Sequence, residues 1–336
     1  MRAAIVVPTI REKLIVSFLE AWKDSFSGHV VIVVEDNPER TFDVSLPNAQ
    51  HYCWADIDEE LGRDSWIIPR RTDCVRSYGY YKAFSAGVDL VVTLDDDCYP
   101  LDERFIERHY EKLSQRVGED GWVSTGQGVL PRGIPYQTRQ RESECVINHG
   151  LWSNVPDFDA VTQLMNERRN QEFSPVEQVI PRGKFYPMCG MNLAFKPKIA
   201  PAMYFLLMGR EWTFDRFGDI WCGIFSKRIC DHLGFAVRSG EPRIEHQRAS
   251  NVWTNLRKEA PGYEVNETLW RGVDSVILTK ETVRDCYKEF AQKLPMTGEY
   301  WDRLRTAMTI WAELFPTGAE EREDVPAVAK AAPITA

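Results

Sequence analysis

The chain has 336 residues, 43% hydrophobic and 12% aromatic, with a net charge of −9. That length holds one large domain or two ordinary ones and can bury a core. The acidic balance, with its basic residues scattered, excludes a general nucleic-acid or anionic-membrane surface and leaves room for a local phosphate site.

No run of about 18 apolar residues occurs, so no membrane-spanning helix is expected. MRAAIVVPTIRE at the start is too short an apolar run for a secretory signal. The eight cysteines show neither CxxC pairing nor zinc-type spacing and read as reduced, mostly buried thiols of a cytoplasmic protein. Eleven tryptophans point to apolar clefts or an interface as well as a core.

Residues 3–8, AAIVVP, predict a buried parallel strand. Leu14, Phe18, Leu19 and Trp22 then recur at helical spacing until Gly28. HVVIVVED (29–36) predicts a second strand ending in acid, and 65–68 a short third. Helical spacing covers 72–86, the next strand 88–95, and a charged amphipathic helix 102–117. This alternation predicts an α/β sheet whose ligands sit at the carboxyl ends of the strands. Farther on, 121–150 predicts strands and loops, 157–170 a helix, and 186–198 a loop and strand. A helix over 215–233, a strand, turn and loop over 236–251, and helices near 280–292 and 298–315 complete the pattern. The tail after Phe315 is charged and then Ala/Pro-rich, and is expected to be disordered.

The strongest chemical signal is VDLVVTLDDDCYP (88–100), where an apolar strand runs into Asp95, Asp96 and Asp97. In a strand alternate residues share a face, so Asp95 and Asp97 are expected to point together with Asp96 opposed, their Cα atoms roughly 6.5 Å apart. Such a pair suits a hard divalent cation that completes its shell with water and substrate phosphate. The competing reading is a solvated turn, for which aspartate is common. A phosphatase of the aspartyl-phosphate type fits less well, because Cys98-Tyr99 follow where that chemistry has Gly-Thr.

A DxD ending a strand in an N-terminal α/β half, without a Gly-rich phosphate loop, resembles a GT-A nucleotide-sugar enzyme. More specifically, the chain resembles the UDP-arabinopyranose mutases, or reversibly glycosylated polypeptides. The matching stretches are VPTIRE (7–12), TLDDDCYP (93–100), HGLWSNVPDFDAVTQL (149–164), FYPMCGMNLAFKPKIAPAMYFLLMG (185–209), DIWCGIFSKRICDHLG (219–234) and HQRASN (246–251). They keep family order and cover most of residues 5–310.

The resemblance implies a GT-A-like, Rossmann-like central sheet flanked by helices, with helices at the C-terminus. It implies one catalytic domain over 1–315, with a nucleotide half to about 120, a sugar half to about 280 and helices to 315. The implied activity interconverts UDP-arabinopyranose and UDP-arabinofuranose with Mn²⁺ or Mg²⁺ and without flavin. A homo-oligomer is also implied.

By the same resemblance Asp95, Asp97 and His246 would hold the metal. Pro8, Thr9, Arg11, Glu35, Asp36, Asn37, Arg76, Asp96, His149 and Asn192 would contact the nucleotide-sugar. Asp219 and Asp157 would face the reacting sugar. Of the two arginines before HGLW, Arg139 fits the family's modified position by spacing and Arg141 by its pairing with Glu142, one residue being inserted. The residues themselves leave other roles open. Thr9 suits a helix cap, His246 and His149 suit structural histidines, and Asp219 suits a helix start. A glycosyltransferase that is retaining or self-glycosylating, and a non-catalytic partner subunit, are the alternatives in function.

Overall fold

A computed structural model describes residues 1–118, 132–133, 142–166, 176–247 and 250–317. Arg139, Arg141 and the tail from residue 318 lie outside the described residues. The first strands, β1 (Ala3–Thr9), β2 (Val30–Glu35) and β4 (Leu90–Leu94), are buried throughout. Their runs of Val, Ile and Leu suit strands covered on both faces. Between them in sequence lie α1 (Glu12–Trp22), β3 (Ala49–Tyr52), α2 (Trp54–Leu61) and α3 (Arg76–Ser85).

Further along come β5 (Cys98–Pro100), α4 (Phe105–Ser114), β6 (Arg116–Gly118), β7 (Glu142–Asn154), α5 (Ala160–Met165), β8 (Gln178–Val179) and β9 (Asn192–Phe195). The last elements are α6 (Gly218–Leu233), β10 (Ala236–His246), α7 (Val252–Ser275), α8 (Val283–Lys293) and α9 (Glu299–Glu313). Among the described residues the sheet order is β3-β2-β1-β4-β9-β7-β10-β5, with β6 beside β7 and β8 beside β10. Strands β3, β2, β1 and β4 run parallel, whereas β9 is antiparallel to both β4 and β7. β10 runs parallel to β7, and the short β5 pairs antiparallel with its end. This is the expected α/β fold, a central sheet flanked by helices, with helices at the C-terminus.

The two-residue period of the strands divides the core. Ile5, Val7, Val31, Val33 and Val92 face α1 and α4, while Ala4, Val6, Ile32, Val34 and Val91 face the other layer. On that second face α3 lies close against β1 and β2, because Gly79 presents no Cβ where Val6 and Val34 pack. Helix α6 sends Trp221, Phe225 and Ile229 into the same layer and stops at Gly234, whose φ of 77° is left-handed. The layer is closed by α8 and α9 through Phe290 and Trp311.

Several elements differ from the sequence-based expectation. Strand β4 ends at Leu94, and residues 95–97 form a turn closed by Cys98 N donating to Asp95 O at 3.1 Å. The alternating frame that paired Asp95 with Asp97 therefore does not apply. Residues 65–68 fall largely in a 3₁₀ helix, Gly62–Ile67, instead of a strand. The 24-residue α7 escaped prediction because Pro261 and Gly262 interrupt its pattern. Both are accommodated, and Gly262 lies directly against the ring of buried Phe217.

A methyl group at position 262 would enter that ring. Gly262→Ala is thus expected to cost about 1–3 kcal/mol by overpacking, despite the better helix propensity of alanine. A thermal-unfolding midpoint several degrees below wild type would bear this out, and an unchanged or raised midpoint would contradict it.

Candidate active site

The carboxyl ends of β2, β1 and β4, followed in sheet order by the approach to β9, open on one cavity of about 660 Å³. Pro8, Thr9, Arg11, Asp36, Asn37, Arg76, Asp95, Asp96, Asp97, Asp157, Asp219 and His246 all line it. Twelve of the residues singled out from sequence thus converge on one place, although they span positions 8 to 246.

The acidic turn sits at its centre, and each aspartate has a separate cationic or histidine neighbour. Arg76, 1% exposed, pairs with Asp95 and donates to Thr93 Oγ1 at 2.9 Å and to the Gly190 carbonyl. Arg76 is therefore engaged in holding β4, the turn and the approach to β9 together. Enclosure opposes ionisation of Asp95, but Arg76 outweighs it and holds the carboxyl below its usual range. Asp96 accepts from Thr9 Oγ1 at 2.6 Å and from the Arg11 guanidinium. There burial prevails over Arg11 and raises the carboxyl.

Asp97 faces His246. Antiparallel pairing of β5 with β10 sets Cys98 opposite His246, which brings Asp97 Oδ1 within 3.8 Å of His246 Nε2. His246 Nδ1 lies 2.8 Å from the Val155 carbonyl, a contact that in the neutral ring puts the N–H on Nδ1 and leaves Nε2 as the acceptor facing Asp97. A backbone carbonyl holding the far nitrogen is the usual support of a metal-ligating histidine. Asp97 and His246 thus fit a divalent cation that draws its other ligands from water and phosphate. Asp95, already neutralised by Arg76, is a poorer ligand. Among the described residues no group of three His, Cys, Asp or Glu is arranged to hold a metal without substrate.

Near β2, Asp36 accepts from Trp54 Nε1 at 2.8 Å and Arg71 N at 2.9 Å. It anchors the segment that carries Arg71, Thr72 and Asp73, all cavity residues absent from the sequence-based set. Burial raises the Asp36 carboxyl, partly offset by these donors. Arg71 has a φ of 59°, a left-handed conformation unusual outside glycine, and its guanidinium lies over the Trp54 ring. Glu35, by contrast, is fully buried behind the wall, where it accepts from Asn37 Nδ2 and Thr41 N.

At the far end Asp219, in the first turn of α6, accepts from Gly190 N and Ile220 N, each at 2.9 Å. Its enclosure, with the Asp73 and Asp157 carboxylates nearby, pushes its carboxyl up to about 7. Asp157, Cys189, Arg216 and Asp219 also line a second cavity of about 990 Å³ walled by Trp152, Tyr186, Tyr263 and Trp270. His149 belongs to this second cavity, where burial lowers its imidazole to about 4. Asn192 belongs to neither cavity. It donates to the carbonyls of Leu151 and Pro242 and accepts from His109, cross-linking β9, β7 and β10. Arg210, Arg216 and Lys258 complete the cationic lining of the first cavity. The only hint of the latter two in the sequence was Arg216's position beside the matched block at 219, since Lys258 lies on the unpredicted α7.

Asp219 has a consequence for stability. With a folded-state value near 7 against 3.8 in a free chain, the folded state keeps a proton that the unfolded state releases between about pH 4 and 7. The carboxyl therefore costs stability progressively through that window and fully above it. Asp219→Asn is expected to raise the thermal midpoint at pH 8, with the gain shrinking toward pH 4. Melting curves across that range that show no pH-dependent difference would contradict the assignment.

A family model described as "Reversibly glycosylated polypeptide" matches residues 2–116 and 123–318. UDP-arabinopyranose mutase 1 of Arabidopsis thaliana is 36% identical over 343 residues, 93% of this chain and 91% of that protein. Probable UDP-arabinopyranose mutase 2 of Solanum tuberosum is 35% identical over 353 residues, 94% and 91% of the two chains. Among solved structures, a mycobacterial protein aligns with 88% of this chain and 76% of its own at a TM-score of 0.41 and 12% identity, too loosely to bear on chemistry.

Proposed function

Since the chain belongs to the reversibly glycosylated polypeptide family, we propose that it is a UDP-sugar mutase interconverting the pyranose and furanose forms of a UDP-pentose of the arabinose type. The supporting observation is the order of groups in the 660 Å³ cavity along the sheet edge. Asp36, Trp54 and Arg71 stand at the β2 end, the acidic turn and His246 at the centre, and Asp157, Asp219 and Arg216 toward β9. A nucleoside, a diphosphate and a pentose match that sequence of surfaces in turn.

The chemistry then divides among residues of this chain. Arg11 faces the turn from the end of β1 and, with Arg71 and Arg210, offers positive charge to a diphosphate that leaves with the anomeric C–O electron pair. A divalent cation, Mn²⁺ or Mg²⁺, held by Asp97 and His246 would supply further stabilisation of that leaving group. Asp157 and Asp219 face the electron-poor sugar. Asp219, poised to hold or release a proton near neutral pH, suits the exchange of ring hydroxyls that changes the ring form. The same diphosphate, retained by its cations, recaptures the sugar.

The eight free cysteines, seven of them buried, support a reducing, cytoplasmic setting. Among the described residues no helix is long and apolar enough to cross a membrane. Homo-oligomerisation belongs to this proposal as an implication of family membership. The second cavity favours one other reading, transfer of the sugar to an acceptor, because it reaches Asp157 and Asp219.

Incubating the protein with UDP-arabinofuranose and Mn²⁺ and separating the products by chromatography decides between them. The mutase reading expects UDP-arabinopyranose with UDP-sugar conserved. Absence of any pyranose product from folded, UDP-binding protein would sink it, and free UDP with a glycosylated product would favour transfer. Chelation is expected to suppress turnover until Mn²⁺ or Mg²⁺ is restored. Asp97→Ala and His246→Ala should each lower it by on the order of 10²-fold. Full activity of either variant, or of metal-stripped protein, would exclude the metal role.

A further inference from the structure

We propose that Glu259 on α7 is a positioning residue for the reacting end of the cavity, fixing Arg216 and the turn that carries Asp157. The inference rests on the mutase reading for its choice of ligand, and on geometry for its substance. Glu259 is 3% exposed and accepts three hydrogen bonds from three parts of the chain. Arg216 Nε donates to Oε1 at 2.8 Å, while Ala160 N at 2.7 Å and Tyr263 Oη at 2.6 Å donate to Oε2.

Each bond has a distinct consequence. The bond to Arg216 holds a non-glycine residue at a φ of 66°, a left-handed backbone that persists only where its surroundings impose it. Engagement through Nε leaves the outer N–H groups of the guanidinium fork available to other acceptors. The bond to Ala160 N tethers the start of α5, three residues after Asp157, and Asp159 caps that helix through Thr162 N at 3.0 Å. Arg216 and Asp157 both border the two cavities, whereas Glu259 borders only the second. One buried carboxylate therefore sets the relative placement of an anion and a cation at the junction, from outside the nucleotide cavity.

The sugar, rather than UDP, should sense this placement. Glutamine at 259 keeps the shape but offers a single acceptor oxygen to three donors, and its amide opposes one of them. Binding of UDP and of UDP-arabinopyranose to wild type, Glu259→Gln, Arg216→Lys and the double variant, by calorimetry, gives the ratio of the two affinities. Glu264→Gln, an exposed position on the same helix, serves as control. The expected result is a UDP affinity within about twofold of wild type in Glu259→Gln, but a ratio altered by about fivefold or more. Turnover should fall 10- to 100-fold, mostly in kcat, and the double variant should be no worse than the poorer single one.

An unchanged ratio in Glu259→Gln, parallel loss of both affinities, or multiplicative effects in the double variant would overturn the proposal. If wild type binds both ligands but does not interconvert them, the mutase reading falls while the affinity ratio still decides the role of Glu259. A wild type that binds neither ligand overturns both.

Discussion

Three adjacent carboxylates in a turn repel one another, and the site is organised around relieving that repulsion. Asp95 is met by Arg76 from α3, and Asp96 and Asp97 by Arg11 just beyond the end of β1, with His246 from the end of β10 facing Asp97. Each partner comes from a different segment, so the turn meets all of them only where β1, β4 and β10 are in register. Removing either arginine would strand a charge in a largely enclosed place, a more damaging change than losing an exposed pair. The same arrangement leaves the three acids unequal. One is neutralised by arginine, one is shared between a hydroxyl and an arginine, and one faces a histidine whose Nε2 is open.

The mixed sheet explains why these partners meet. Parallel strands β2, β1 and β4 deliver their carboxyl ends to one edge, as in other open α/β sheets. Because β9 runs the opposite way, its beginning reaches that same edge, bringing Gly190 to Arg76 and Asp219. The antiparallel pairing of β5 with β10 then returns the chain so that His246 faces the turn it follows by some 150 positions. The β2 end of the cavity is thus made from consecutive βα units, whereas the β9 end is assembled from long-range pairings.

At the β9 end of the cavity, one buried carboxylate from α7 reaches the charged lining from behind. Asp157, Asp219 and the strained Arg216 border both cavities, Asp219 held by the backbone N–H groups of Gly190 and Ile220 and Arg216 held by Glu259. Arg71 at the opposite end shares the left-handed backbone and is likewise held by a carboxylate, Asp36. Strained non-glycine residues at both ends of one cavity show where the fold gives up local stability for placement.

Periodicity and composition determined the α/β class, the buried parallel strands, the acidic strand end and most helices, because these depend on local spacing of apolar side chains. The quoted motifs determined the family and, with the acidic end of the second strand and Arg76, pointed to twelve of the cavity-lining residues. Local spacing failed where nonlocal contacts override it. The aspartates were framed as a strand but form a turn, since Asp95 closes onto Cys98 and is drawn toward Arg76. Helix α7, with Lys258 and Glu259, was hidden by Pro261 and Gly262, whose cost is met by packing on Phe217. Glu35 and Asn192 have the residue types of binding groups, yet their donors and acceptors are satisfied by neighbouring backbone and side chains. A side chain's chemistry is written in the sequence, but whether that chemistry faces a ligand or another part of the chain depends on which distant groups reach it first, and only the tertiary structure decides that.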